Sequence, residues 1–233
     1  MSPHAAGNGA APGSAAPQSD PSAPMTAANI EPIDTATRLL IRLAAAVAAG
    51  DEPTLRAAAA AAASGVPTIW VEELLLQSYL FCGFPRTLNA MREWRKVSGV
   101  PAPEHDSDTA QGDVAGWRAR GEDACETIYG RLYPGLRRNV RALHPALDEW
   151  MVVEGYGKIL SRPGLDMARR ELCVVATCAA TRQERQLHSH LHGALNAGAP
   201  PAAISAALAL VRDFVGDDAS RSYQLLWQRV QGK

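Results

Sequence analysis

The stretch from Ser161 to Pro201, SRPGLDMARRELCVVATCAATRQERQLHSHLHGALNAGAPP, constrains the fold of this chain more than any other. Its apolar residues recur at helical spacing in two successive runs, which predicts two helices folded back on each other. The first runs from Asp166 to about Ala180. With 100° of rotation per residue, Val174, Val175 and Cys178 fall within about 60° of Glu171. Glu171 therefore rides on the apolar stripe. The second run opens at Thr181-Arg-Gln-Glu184, read as a capping box, and stops at Gly198 with proline behind it. On this helix His190 shares a face with Leu187, Leu191 and Ala194, while His188 and His192 point about 160° away. One carboxylate and one imidazole are thus aimed into the same apolar layer.

Such a pair can move protons. Burial favours the uncharged form of a carboxyl group, and an imidazole titrates near neutrality, so the two together suit general acid–base work. Two structural alternatives stand beside that reading. The glutamate could bond a helix end or an arginine, and the histidine could be a satisfied core residue.

The rest of the chain is also helical in pattern. Leu39, Leu40, Leu43 and Val47 recur at helix spacing from Asp34 to a stop at Gly50, and Asp51 caps an alanine-rich helix ending at Gly65. Pro67 opens TIWVEELLLQSYLF, which ends at Gly83, and Pro85 opens PRTLNAMREWRKV. Further helices are predicted from Trp117 through Tyr133, from about Pro145 to Leu160, from Pro200 to Phe214 and from Asp218 to Val230. Laying Gly198 on Gly65, a shift of 133 residues, matches Leu172 with Leu39, Pro200 with Pro67, Leu208 with Leu75, Phe214 with Phe81 and Gly216 with Gly83. That points to an old duplication. In the first copy Arg38 stands where Glu171 would be and Ala57 where His190 would be, so a site built on the pair occurs once per chain. The domain reading is a disordered Ala/Pro/Gly/Ser-rich tail over 1–31, a first helical repeat over 32–97, a linker over 98–116, and 117–233 holding connecting helices and the second repeat.

Composition narrows the classes. With 47% hydrophobic and 20% charged residues the chain can bury a core. A net charge of −1 without a basic cluster argues against nucleic acid, and no apolar run approaches the roughly 18 residues that would span a membrane. The four cysteines, Cys82, Cys125, Cys173 and Cys178, follow no framework or Cys-x-x-Cys spacing, which fits free thiols in the cytoplasm. His188 and His192, at i and i+4, have metal-ligand spacing but no third ligand beside them, so no metal is expected. Cys178 lies on the stripe of Glu171, where a lone thiol is either core filling or a redox group. The five tryptophans read as core or interface anchors.

Three pieces, HPALDEWMVVEGYGKILSRPGLDMARREL, QLHSHLHGALNAGAPPAAI and EELLLQSYLFCGFPRTLNAM, resemble the carboxymuconolactone decarboxylase family, which also holds the alkylhydroperoxidase D-like proteins. The resemblance covers about residues 35–97 and 117–216. It implies an all-α, alkylhydroperoxidase D-like helical fold in two tandem degenerate repeats, assembled as a homo-oligomer, usually a trimer or hexamer. It gives Glu171 and His190 the family's acidic and histidine positions. The peroxidase branch carries a Cys-x-x-Cys that falls here on Gln183 and Gln186, which speaks against its dithiol route. The chain sides instead with the decarboxylase branch, which implies a cofactor-free lyase acting on a small carboxylated, lactone-like molecule. In that reading His190 or Glu171 protonates the carbon left behind. Gln183, Gln186, Cys178 and Arg86 are candidate substrate contacts, although the glutamines could equally be an exposed helix start and Arg86 a helix or subunit contact. The Gly-Phe-Pro-Arg turn, 83–86, lies in the first half and the Glu–His pair in the second, so the pocket is expected where half-chains meet, within a chain or across subunits. A thiol-dependent peroxidase using Cys178 and a non-catalytic ligand-binding oligomer are the alternatives.

Overall fold

The apolar periodicities are realised as helices throughout. The computed structural model describes Met1 and residues 33–106, 108 and 113–232, and every regular element among them is helical. The segment expected to be a disordered tail lies, apart from Met1, outside the described residues.

Helix α1 is Thr35–Ala49, α2 Glu52–Gly65 and α3 Thr68–Ser98. The Asp34 and Asp51 side chains accept from the backbone N–H groups of Thr37 and Thr54, capping α1 and α2. Helix α3 runs on where two helices were expected. It is kinked at Gly83 (φ 77°, ψ 162°), and Pro85 restarts it as a first-turn proline can. After a connection come α4, Val114–Tyr129, a 3-10 turn Gly130–Leu132 and α5, Tyr133–Leu143. The sequence reading placed a single helix from Trp117 through Tyr133 and had no counterpart for α5, a short, arginine-rich helix that buries only Tyr133. Helix α6, Pro145–Trp150, passes into a π-helical segment, Met151–Leu160. Then follow α7 (Met167–Ala180), α8 (Glu184–Asn196), α9 (Pro201–Leu210), α10 (Arg212–Val215) and α11 (Asp217–Val230).

The duplication is visible in three dimensions. Gly216, 133 residues after Gly83, has the same left-handed backbone (φ 81°, ψ 174°) and likewise starts a helix. Trp94 and Trp227 are related by the same shift, and both are almost wholly buried. Their indole N–H groups donate to equivalent positions, Trp94 Nε1 to Glu72 Oε1 (3.4 Å) and Trp227 Nε1 to Ser205 Oγ (2.8 Å). The stop-glycines diverge: Gly198 is left-handed and closes a Schellman turn, whereas Gly65 is the last helical residue of α2. The repeat-related helices α1 and α7 pack against each other, with α2 on α1 and α3, and α8 on α7.

A buried ion network ties the two halves together. Arg170 of α7 donates to Glu73 Oε2 (2.8 Å) and Gln77 Oε1 (3.0 Å) of α3, and Arg162 binds the same Glu73. Helix α4 and the π-helical segment form a second, smaller core around Cys125, Ile128, Val152 and Tyr156. Their backbones approach so closely that a Cβ on Gly157 would stand 1.8 Å from the Trp117 carbonyl oxygen. This second core leans on Phe81 of α3 and Met167 at the start of α7, and that junction is where the site sits.

Candidate functional site

Helix α7 is surrounded. Every residue from Arg170 to Ala180 is buried, and Glu171, one turn in from the Asp166 cap, has no exposed surface. Helix α8 is amphipathic and buries Leu187, His190, Leu191 and Ala194 at i, i+3, i+4 and i+7. The two run antiparallel through a tight turn. There Arg182 adopts the left-handed conformation (φ 59°) and the Gln183 N–H bonds the Cys178 carbonyl (2.8 Å). This geometry brings Nδ1 of His190 to 2.8 Å from Oε2 of Glu171, both side chains buried.

The capping box expected at the start of α8 is not formed. The Thr181 hydroxyl turns back to the Thr177 carbonyl (2.8 Å), and the residue preceding Glu184 makes no side-chain cap bond. With only three residues, 181–183, between the helices, the Thr181 hydroxyl is committed to the last turn of α7 and does not cap α8.

Three elements enclose the pair. Phe81, from the first repeat, sets its ring edge-on to His190, with centroids 5.8 Å apart and planes at 83°. Gly193, one turn beyond His190, leaves the space the Glu171 carboxylate occupies: a Cβ there would lie 2.6 Å from Oε2. Beside it the Tyr129 and Tyr156 hydroxyls are hydrogen-bonded at 2.7 Å. Burial, with the Glu171 charge adding to it, holds both phenols well above the ordinary tyrosine range, so they act as neutral hydrogen-bonding groups. Oε1 of Glu171 is shut away from solvent and has no hydrogen-bond partner among the described residues. A buried acceptor left in that state carries a desolvation cost, of the kind native proteins keep where chemistry uses it.

The arrangement has a defined chemical capacity. An ionised Glu171 can only accept, so Nδ1 must then carry the hydrogen, which leaves the Nε2 lone pair as the basic position. A carboxylate fixing the tautomer and orientation of an imidazole is a recurring arrangement in sites where a histidine transfers protons.

The other singled-out residues are distributed differently. Cys178 is buried on the same helix as Glu171, and burial, reinforced by the Glu171 charge, pushes its thiol up to about 12. Gln183 and Gln186 are exposed at the start of α8, and the Gln183 amide donates to the Thr181 carbonyl (3.2 Å). Arg86 donates to the Val47 and Gly50 carbonyls (3.2 and 3.3 Å) at the end of α1, so it holds the kink of α3 to its own repeat. The structure therefore joins Glu171 to His190, leaves Cys178 two turns along α7 from Glu171, and does not join Gln183, Gln186 or Arg86 to the pair. His188 and His192 pair with each other on the far side of α8, and among the described residues no group of three His, Cys, Asp or Glu side chains could hold a metal.

Sequence reasoning missed Phe81, Gly193, Tyr129 and Tyr156 as parts of this site. Gly193 left a signal: a glycine inside a helical run costs about 1 kcal/mol relative to alanine and so implies a packing reason. Tyr129 and Tyr156 left none, because nothing local says that their hydroxyls meet. Among the described residues no helix is long and apolar enough to cross a membrane.

Comparison with known proteins supports the same assignment. "Peroxisomal protein 2" of Schizosaccharomyces pombe is 30% identical over 136 residues, a stretch covering 57% of this chain and 63% of the relative. The sequence profile of the carboxymuconolactone decarboxylase family matches residues 25–96 and 146–227, falling on both repeats. With this match over most of its length, and with the fold duplicated on the same two stretches, the chain belongs to the carboxymuconolactone decarboxylase family as a tandem two-repeat member.

Proposed function

We propose that this protein is a carboxymuconolactone decarboxylase-like lyase, and that Glu171 and His190 form a cofactor-free acid–base pair acting on a small carboxylated, lactone-like molecule. The observation that carries the reading is the buried 2.8 Å contact between Glu171 Oε2 and His190 Nδ1, in a chain with glutamine at both positions of the peroxidase cysteine pair. In the proposed step the bond from the substrate carboxylate to its carbon breaks and carbon dioxide leaves. The electron pair passes into the conjugated lactone carbonyl. His190, protonated at both nitrogens and held at Nδ1 by Glu171, gives the Nε2 proton to the carbon and regains one from solvent. Gln183 and Gln186, exposed in the single chain, meet substrate where a second copy closes over the start of α8, so the working form is a homo-oligomer. The free thiols suit the cytoplasm, or the compartment in the relative's name.

Measuring carbon dioxide release from a γ-carboxylated butenolide tests this. Glu171→Gln and His190→Ala each lower turnover by about 10²–10⁴-fold; unchanged turnover in both removes the reading. The thiol-peroxidase alternative is disfavoured by the protonated, buried Cys178, and full turnover in Cys178→Ser would leave it without support. The near-complete enclosure of His190, 5% exposed, favours one other reading: a pair that only ties α8 to α7 in a non-catalytic oligomer. That reading gains if both variants lose stability and no candidate substrate is turned over by the native protein.

A further inference from the structure

The face of α8 opposite the Glu–His pair borders a cavity of about 770 Å³. Its other wall is the corner where α4 passes through the 3-10 turn into α5. The volume lies within the range of small-molecule sites. The corner contributes Ile128, Leu132, Leu136 and Arg131, and α8 contributes His188 and His192. Among the described residues lining it there is no carboxylate. Leu132, which lines it, is 59% exposed. The corner is fixed to α8, because the Asn196 amide donates to the Ile128 carbonyl (2.8 Å).

The two imidazoles stand with ring centroids 5.0 Å apart and planes at 74°. Burial, with the opposition of the neighbouring His188 added to it, holds His192 below the ordinary histidine range. An anion placed between them removes that opposition. The remaining groups facing the cavity are neutral: Asn139, Ser189, Asn196 and Tyr129, whose hydroxyl is engaged by Tyr156. Beyond His188, in the adjoining groove, Glu184 is accompanied by Arg185 and Arg229, so cations outnumber the one acid there.

We propose that this cavity is a second binding site, separate from the Glu–His pair, for a small amphipathic organic acid. His188, His192 and Arg131 hold the acid group, and the leucines and Ile128 take the apolar body.

The probe is 1-anilinonaphthalene-8-sulfonate, whose charge is constant between about pH 6 and pH 8, titrated into the full chain by calorimetry. One probe per chain is expected, binding roughly tenfold tighter at about pH 6 than at about pH 8, with proton uptake. The double variant His188→Gln, His192→Gln removes the pH dependence, and Arg131→Gln weakens binding at both pH values. Gly135 also lines the cavity, and the nearest atom to a Cβ there is Arg138 Nη2 at 3.8 Å, so Gly135→Phe has room to fold and fills the space. That variant loses the site, which keeps the test decisive if the polar variants fold poorly. Equal affinity at both pH values, or unchanged binding in Gly135→Phe, overturns the proposal. So does a native protein that binds no probe and self-associates through this face, as sedimentation equilibrium would show by loss of association in Gly135→Phe.

Discussion

A Cβ placed on Gly193 would stand 2.6 Å from Oε2 of Glu171 and 2.9 Å from Cγ2 of Ile128. The carboxylate on α7 thus occupies the room left by a missing side chain on α8. Gly193→Ala must push the carboxylate off His190 or part the helices. Overpacking of about 1–3 kcal/mol outweighs a helix-propensity gain of about 1 kcal/mol, so a lower midpoint in urea unfolding is expected. Turnover falls with it, since His190 loses the group that orients it.

Removing one partner of the pair should cost more than neutralising it. His190→Ala leaves both oxygens of a buried carboxylate without partners, which predicts a loss of about 3 kcal/mol by denaturant unfolding. Glu171→Gln keeps an acceptor toward Nδ1 and should cost about 1 kcal/mol. Equal losses in the two variants would mean that the hydrogen bond to His190 matters little to stability.

The acid limb of the stability curve is expected to depend on Asp148. This side chain, 1% exposed, accepts from Arg137 through both carboxylate oxygens and from Arg141 Nε (3.0 Å). The Arg137 bonds hold its carboxyl below the usual 3.8 in the folded protein. A folded pKa below the unfolded one means that its stabilisation is complete above about pH 4 and is lost as pH falls through the folded value. Asp148→Asn should lower the neutral-pH midpoint and flatten the decline below about pH 4, as followed by circular dichroism.

The thiols should react in order of burial. Cys82 is partly exposed, and burial pushes its thiol to about 11; Cys125 and Cys178 are buried with thiols pushed to about 12, and Cys173 is pushed further by complete burial. Thiolate is the reactive form. Alkylation of the native protein followed by mass spectrometry should mark Cys82 first and the other three only on unfolding. Early labelling of Cys178 would revive the thiol-dependent reading.

Much of the site was legible because helix faces are periodic. The faces that bury Glu171 and His190 follow from 100° per residue, and the antiparallel return follows from the shortness of the turn between them. The Thr181 capping box misled because the same four-residue pattern serves a helix start or a helix end, depending on how tightly the chain reverses. Arg86 and the glutamines were placed by analogy of position, and a position on one helix does not say which other helix it faces.

From the amino-acid order alone came the all-helical class, the duplication at 133 residues, and the placing of one acid and one imidazole on inward faces. Those are properties of local spacing, and local spacing repeats without regard to the rest of the chain. Only the packed molecule decided that Glu171 and His190 touch, that Phe81 closes over them from the other repeat, and that Gly193 makes their room. It also decided that Tyr129 and Tyr156 meet beside them. Contacts between residues far apart in sequence depend on how whole helices settle against each other, and close packing admits few such arrangements.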